Sequence, residues 1–299
     1  MQVGNGPTEP CSDNAPAVLE GTLRASLYRI TLESPDPEAL AQYYTRALGF
    51  QFDMNKDLAV GSGRDRRLTL CRGTSGRLSE ACYVVPDAGQ IEKLVTRLRA
   101  VGIEVSRNAE ESFADSVVFT DPDGNKMVFA TGAIAEGTGA SADSLRMRPA
   151  RLQHLVLASA NATRLVDFYC NAVGFKRSDT VLDDKGIMRT AFLNCGHEHH
   201  SLAVFATNEN RLDHFCFEAG DWGLIRDWAD HFASERIAVK WGPGRHGPGN
   251  NLFVFIHDLD GNWVEVSAEL EHVAPDRPMG TWRHEQRTLN TWGVGLLRS

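Results

Sequence analysis

The chain contains the same pattern twice, and that repeat limits its fold more than any other feature. Residues 27–50, "LYRITLESPDPEALAQYYTRALGF", align without a gap on residues 152–175, "LQHLVLASANATRLVDFYCNAVGF". Each copy runs from strand-like alternation through a capped turn into an amphipathic helix that ends at Gly-Phe. Asp36 with Pro37, and Asn161 in the second copy, supply N-cap chemistry, and Gly49 and Gly174 supply the C-terminal stop. Further along, "LSEACYVVPDAGQIEKLVTRL" (78–98) matches "LDHFCFEAGDWGLIRDWADHF" (212–232). "VVFTDPDGNKMVF" (117–129) matches "VFIHDLDGNWVEV" (254–266), an Asp-Gly hairpin between two strands. Each half therefore reads as two strand–helix–strands modules, four in all.

A duplicated chain of 299 residues predicts two tandem domains. The expected boundaries are a mobile tail over 1–22, a first domain over 23–132 and a linker rich in Gly, Ala and Ser over 133–149. A second domain follows over 150–270, with an extension over 271–299 whose "RPMGTWRHEQ" is placed to fold over the second domain's mouth.

Polar residues that differ between the copies are the candidates for chemistry, because the shared pattern already accounts for the core. His154 stands where the first half has Arg29, His214 where it has Glu80, and Glu265 where it has Val128. A carboxylate between Val264 and Val266 is costly in an apolar strand unless something compensates it. Two imidazoles and one carboxylate with open positions suit a divalent metal, and for Fe(II) and dioxygen they form a facial triad. A single such histidine is more often a satisfied core or surface residue. Three coincident differences at matched module positions make the metal the better reading.

The formal charge of −8 argues against a general nucleic-acid or anionic-membrane binder. No apolar run approaches a membrane span, and the first residues lack a signal peptide's basic and apolar regions, so the expected location is cytoplasmic. The six cysteines make no CxxC pair and read as small core residues.

At these residues the sequence resembles the vicinal oxygen chelate superfamily and, within it, the two-domain (type I) extradiol catechol dioxygenases, over about residues 25–270. The resemblance implies an α+β fold of four βαβββ modules in two half-open mixed β-barrels, with a metal in the second only. "LQHLVL", "LDHFCFE" and "GNWVEVSAE" match the family's ligand segments, implying His154, His214 and Glu265 as ligands of Fe(II), or of Mn(II) as in some members. "GHEHHSLAV" (196–204) implies His200 as the acid–base group, and "GPGRHGPGN" (242–250) implies His246 as a further pocket histidine. His197 and His199 read as parts of a solvated turn, and His231, His257, His272 and His284 as surface or packing residues.

Two positions depart from the family pattern. Phe255 stands where a tyrosine usually donates to substrate, so the expectation is that His246 or Asn250 substitutes or that the substrate differs. Trp241 occupies a position where an arginine can hold a substrate carboxylate, which points to an apolar or aromatic ring; Phe192 is expected to line the same pocket. The implied activity is extradiol cleavage of an apolar- or aryl-substituted catechol by O2, in a homo-oligomer that engages neither nucleic acid nor membrane. The alternatives are a glyoxalase-like metal-dependent lyase or isomerase, which needs no oxygen, and a module that sequesters an aromatic ligand, which needs no metal.

Overall fold

A computed structural model describes residues 23–56, 58–107, 113–132 and 148–297. The expected tail over 1–22 and all but the end of the expected linker lie outside the described residues.

The first copy builds β1 (Ser26–Ser34), α1 (Pro37–Leu48), β2 (Gln51–Asn55), β3 (Leu58–Gly63) and β4 (Arg66–Arg72), then β5 (Arg77–Val85), α2 (Ala88–Ala100), β6 (Ser106–Arg107), β7 (Asp115–Thr120) and β8 (Lys126–Thr131). The second copy repeats the order. It has β9 (Arg151–Ser159), α3 (Ala162–Phe168), β10 (Lys176–Leu182), β11 (Met188–Asn194) and β12 (Leu202–Ala206). Its second module is β13 (Arg211–Glu218), α4 (Trp222–Ser234), β14 (Trp241–Arg245), β15 (Leu252–His257) and β16 (Trp263–Ala268). The C-terminal segment adds β17 (Gly280–Arg283) and a short α5 (Gln286–Leu289).

In every module the first strand pairs parallel with the fourth, and the helix makes the crossover that a parallel pair requires. Paired modules meet through their first strands, β1 against β5 and β9 against β13, both antiparallel. The sheet orders are β2-β3-β4-β1-β5-β8-β7-β6 and β14-β15-β16-β13-β9-β12-β11-β10-β17. Neither sheet closes on itself, so the four βαβββ modules form two open mixed sheets, in line with what the family resemblance implies.

The capping chemistry is where the sequence places it. Asp36 accepts from the Ala39 N–H and Asn161 from the Arg164 N–H, while Gly49 and Gly174 take the left-handed conformation that a side chain would disfavour. A π-turn over Tyr169–Val173 continues α3 to Gly174.

The Asp-x-Asp-Gly-Asn turns do more than reverse the chain. Asp121 and Asp258 each gather the backbone N–H groups of their own turn, and each then reaches across to the other half. Tyr44 Oη donates to Asp258 at 2.6 Å and Tyr169 Oη donates to Asp121 at 2.8 Å. Tyr44 and Tyr169 are equivalent in the repeat, as are the two aspartates, so the halves are bolted by one reciprocal pair of buried hydrogen bonds. Burial raises both carboxyls above their ordinary value, and the tyrosine donors act against that rise.

Candidate functional site

The second sheet brings His154, His214 and Glu265 together because β9, β13 and β16 are neighbours in it. Cys216 stands opposite both His154 and Glu265 in the strand register, and the His154 and His214 rings lie 5.6 Å apart. His154 Nε2 lies 3.2 Å and His214 Nε2 3.4 Å from the same oxygen, Glu265 Oε2, and all three residues are buried.

β-Bulges aim the two imidazoles. The β9–β13 register skips Gln153 on one strand and Asp213 on the other, so each extra residue directly precedes a histidine. Asp213 Oδ1 accepts from His214 Nδ1 at 2.7 Å, and Arg211 holds the other carboxylate oxygen. Gln153 donates its amide N–H to His200 O at 2.7 Å, which leaves its carbonyl oxygen to accept from His154 Nδ1 at 2.5 Å. Both histidines are therefore protonated on Nδ1 and present a bare Nε2 lone pair to a carboxylate oxygen. Lone pairs converging within 3.4 Å repel unless a cation lies among them, so this donor set fits a divalent metal. Burial lowers the His154 pKa below its ordinary value. Burial alone would raise Glu265, and with unprotonated ring nitrogens facing it a cation in the site is what offsets that rise. Neutral imidazole beside ionised carboxylate is the state that metal binding requires.

Cys216 Sγ falls in the same cluster, within 4.8 Å of His154 and Glu265. Burial pushes this thiol well above its ordinary value and it donates to Ser267 Oγ at 3.1 Å, so it remains a protonated packing group rather than a thiolate ligand.

The first sheet solves the same charge problem differently. At the equivalent positions Arg29 pairs with Glu80 at 2.9 Å, Lys126 lies 2.8 Å from the other Glu80 oxygen, and Val128 packs with Cys82, Phe113 and Ala130. A built-in cation compensates Glu80, and a hydrocarbon stands where the second sheet has Glu265.

Around the centre the pocket is mostly apolar. Val156, Phe192, Phe205, Trp241 and Phe255 line it, with Leu289 and Leu296 of the C-terminal segment. Trp241 stacks on Phe255 at 5.1 Å and is tied by its indole N–H to Val294 O at 2.9 Å. Phe255 sits directly across the strand pair from Glu265. His246 donates Nδ1–H to Leu289 O at 2.5 Å and points Nε2 toward Glu265 Oε1, 3.6 Å away. His200 also lines the pocket, its ring 4.4 Å from that of His154, and burial lowers its pKa well below the ordinary value.

Two expectations need correction. Asn250 is an exposed turn residue with φ 54° and does not reach the pocket. Its neighbour Asn251 is buried there and donates to Glu265 Oε1 at 3.2 Å, because the tight turn reverses which side chain faces inward. His199 is not part of a solvated turn. It is fully buried between His200 and Asp179, because the C-terminal segment covers it, and only His197 of that pair is exposed. Gln153 and Asp213 lie outside the sequence-based expectations, yet their signal is legible, a polar residue directly before each histidine in an otherwise apolar strand.

The model of the Glyoxalase/Bleomycin resistance protein/Dioxygenase superfamily matches this chain over residues 26–129 and again over 151–266. Among curated proteins, metapyrocatechase 2 of Cupriavidus necator is 26% identical over 93% of this chain and 92% of its own length. Biphenyl-2,3-diol 1,2-dioxygenase of Paraburkholderia xenovorans is 25% identical over 88% and 92%. Among solved structures, homoprotocatechuate 2,3-dioxygenase of Arthrobacter globiformis superposes with a TM-score of 0.79 at 22% identity, covering 94% of this chain and 91% of that one. A Mn(II)-bound glyoxalase from Novosphingobium aromaticivorans gives the same TM-score at 22% identity, with 92% of each chain covered. The double match falls on the two halves that the repeat defines, and the chain belongs to the Glyoxalase/Bleomycin resistance protein/Dioxygenase superfamily.

Proposed function

We propose that the protein is an Fe(II)-dependent extradiol dioxygenase that opens the ring of an apolar- or aryl-substituted catechol, with Mn(II) as the alternative metal, and that it serves aromatic degradation. The observation that carries this reading is the convergence of His154, His214 and Glu265 with His200 and His246 in one apolar pocket. The similarity to relatives named metapyrocatechase and biphenyl-2,3-diol 1,2-dioxygenase supports it. The two-domain division, with metal in 150–270 alone, is supported by the Arg29–Glu80–Lys126 cluster at the equivalent site of the first half.

In this reading His154, His214 and Glu265 hold the metal. Fe(II) held there would supply Lewis acidity toward the catechol hydroxyls and a redox centre for the reaction with dioxygen. The chain's own residues do the rest. Trp241, Phe255, Phe192 and Phe205 exclude water and pack the ring and its substituent. His200 takes a proton from a catechol hydroxyl and returns it during O–O cleavage, a task suited to a neutral buried imidazole. His246, fixed by Leu289 O, offers Nε2 to the substrate, and the Asn251 carbonyl oxygen is a buried acceptor without a donor among the described residues. These two provide polar contacts where Phe255 has no hydroxyl. The reaction consumes one catechol and one O2 and puts both oxygen atoms into a ring-opened hydroxymuconic semialdehyde. Homo-oligomeric assembly accompanies this reading as an expectation of the family resemblance, and a cytoplasmic location as an expectation of the sequence.

The test is oxygen uptake by Fe(II)-loaded protein with 3-methylcatechol and 2,3-dihydroxybiphenyl side by side. The expected result is one O2 per substrate and a yellow product that bleaches in acid. Iron bound at one per chain with no uptake on any catechol would favour the oxygen-independent lyase or isomerase reading.

A further inference from the structure

His199, immediately before the pocket histidine, has a neighbour close to each ring nitrogen. Its Nδ1 lies 3.0 Å from His200 Nδ1 and its Nε2 lies 3.1 Å from Asp179 Oδ2. The backbone is pinned as well. His199 N–H donates to Glu271 O at 2.8 Å, Ser178 Oγ donates to His199 O, and a Cβ on Gly249 would stand 3.1 Å from His199 Nδ1. The ring has little freedom to turn.

Asp179 is wholly buried on β10 and surrounded by donors from the C-terminal segment. Arg277 Nη1 donates at 2.8 Å, Trp282 Nε1 at 2.6 Å and the Gly280 N–H at 3.1 Å. A Cβ on Gly280 would stand 2.4 Å from Asp179 Oδ1, so glycine is what lets strand β17 approach this carboxylate. An ionised carboxylate only accepts. A lone pair on His199 Nε2 would be repelled at 3.1 Å, so the proton of neutral His199 belongs on Nε2, where it faces the carboxylate in an ion-pair contact whose angle falls short of a hydrogen bond. Nδ1 of His199 is then bare. The short contact to His200 is attractive only if His200 carries its proton on Nδ1.

We infer that Asp179, His199 and His200 form a buried triad in which His199 is a positioning residue that fixes the tautomer of His200. This rests on the proposed acid–base role of His200. It leaves His200 Nε2, the nitrogen at the pocket, as a bare lone pair ready to accept a substrate proton. The resulting imidazolium keeps its Nδ1–H on His199, backed by the Asp179 carboxylate. The same logic orients the histidine in hydrolase triads, where the carboxylate stabilises the cation without taking its proton. The C-terminal segment thereby acquires a specific task, since it supplies three of the groups that hold Asp179.

The tautomer is directly measurable. The full chain, labelled with 15N-histidine and loaded with diamagnetic Zn(II), is examined by long-range 1H–15N correlation. The His200 ring is assigned by its loss in His200→Phe. The expected spectrum has His200 protonated on Nδ1 and His199 on Nε2, with a change of the His200 tautomer in His199→Leu and its retention in His199→Asn, whose Oδ1 can still accept. In iron-loaded protein, His199→Leu should lower kcat at least about tenfold, part of what an acid–base group supplies, with catechol KM little changed and with partial recovery in His199→Asn. His200 protonated on Nε2 in the unsubstituted protein would overturn the inference, and that spectrum needs no variant to fold. An unchanged tautomer or unchanged kcat in His199→Leu would overturn it too. Failure of catechol turnover with the expected tautomer present would instead strike the proposed activity and leave the triad standing.

Discussion

Glu265 and Val128 occupy one position in two copies of one fold, and the surroundings decide which residue is tolerated. Glu265 faces two bare imidazole nitrogens and gains from a cation between them, whereas Val128 adjoins an Arg29–Glu80 pair already neutralised. His154→Ala should therefore lose bound metal, read by elemental analysis, because two remaining ligands hold a divalent ion poorly. His200→Phe should keep its metal and lose turnover by roughly 10²-fold or more, the usual size of an acid–base contribution. Equal metal loss in both variants would make His200 a ligand rather than a proton carrier. The convergence of His154, His214 and Glu265 was legible in the sequence because comparing the copies subtracts the shared core pattern. Asn251 was not, because which of two adjacent asparagines faces inward depends on the positive φ of Asn250.

Among the elements, β17 carries the most consequence for its length. Four residues pair parallel with β10, cover its edge and bring Gly280 and Trp282 against Asp179, with Arg277 just before the strand. Burial would raise the Asp179 carboxyl, yet the contacts from His199, Arg277 and Trp282 hold it well below the usual carboxylate range. A folded pKa below the unfolded value of about 3.9 contributes stability above that pH and loses it as the pH falls toward the folded value. Arg277→Ala should thus cost roughly 2–3 kcal/mol at neutral pH, the scale of a hydrogen bond to a buried charge. That cost should shrink below about pH 4, checked by urea unfolding at several pH values. A pH-independent difference would mean that Arg277 acts through packing alone.

At the scale of the whole molecule, the two halves are held in register by groups that come from the repeat itself. Tyr44 and Tyr169 leave equivalent helices and end on the equivalent Asp258 and Asp121 of the opposite half. Tyr83 Oη adds a donor to Ser201 O, at the end of the segment that carries His199 and His200. Tyr44→Phe should lower stability by about 1–3 kcal/mol, since Asp258 loses a buried donor, and a thermal melt reads the shift. The repeat, the helix caps, the four modules and the grouping of His154, His214 and Glu265 follow from the sequence by itself, because they rest on local hydrophobic period, on turn chemistry and on comparison of one half with the other. The burial of His199, the covering of the pocket by Leu289 and Leu296, and the caging of Asp179 were decided only by the tertiary structure. Those features join segments as far apart as Asp179 and Trp282, 103 residues distant in the chain, and no periodicity within either segment encodes the other.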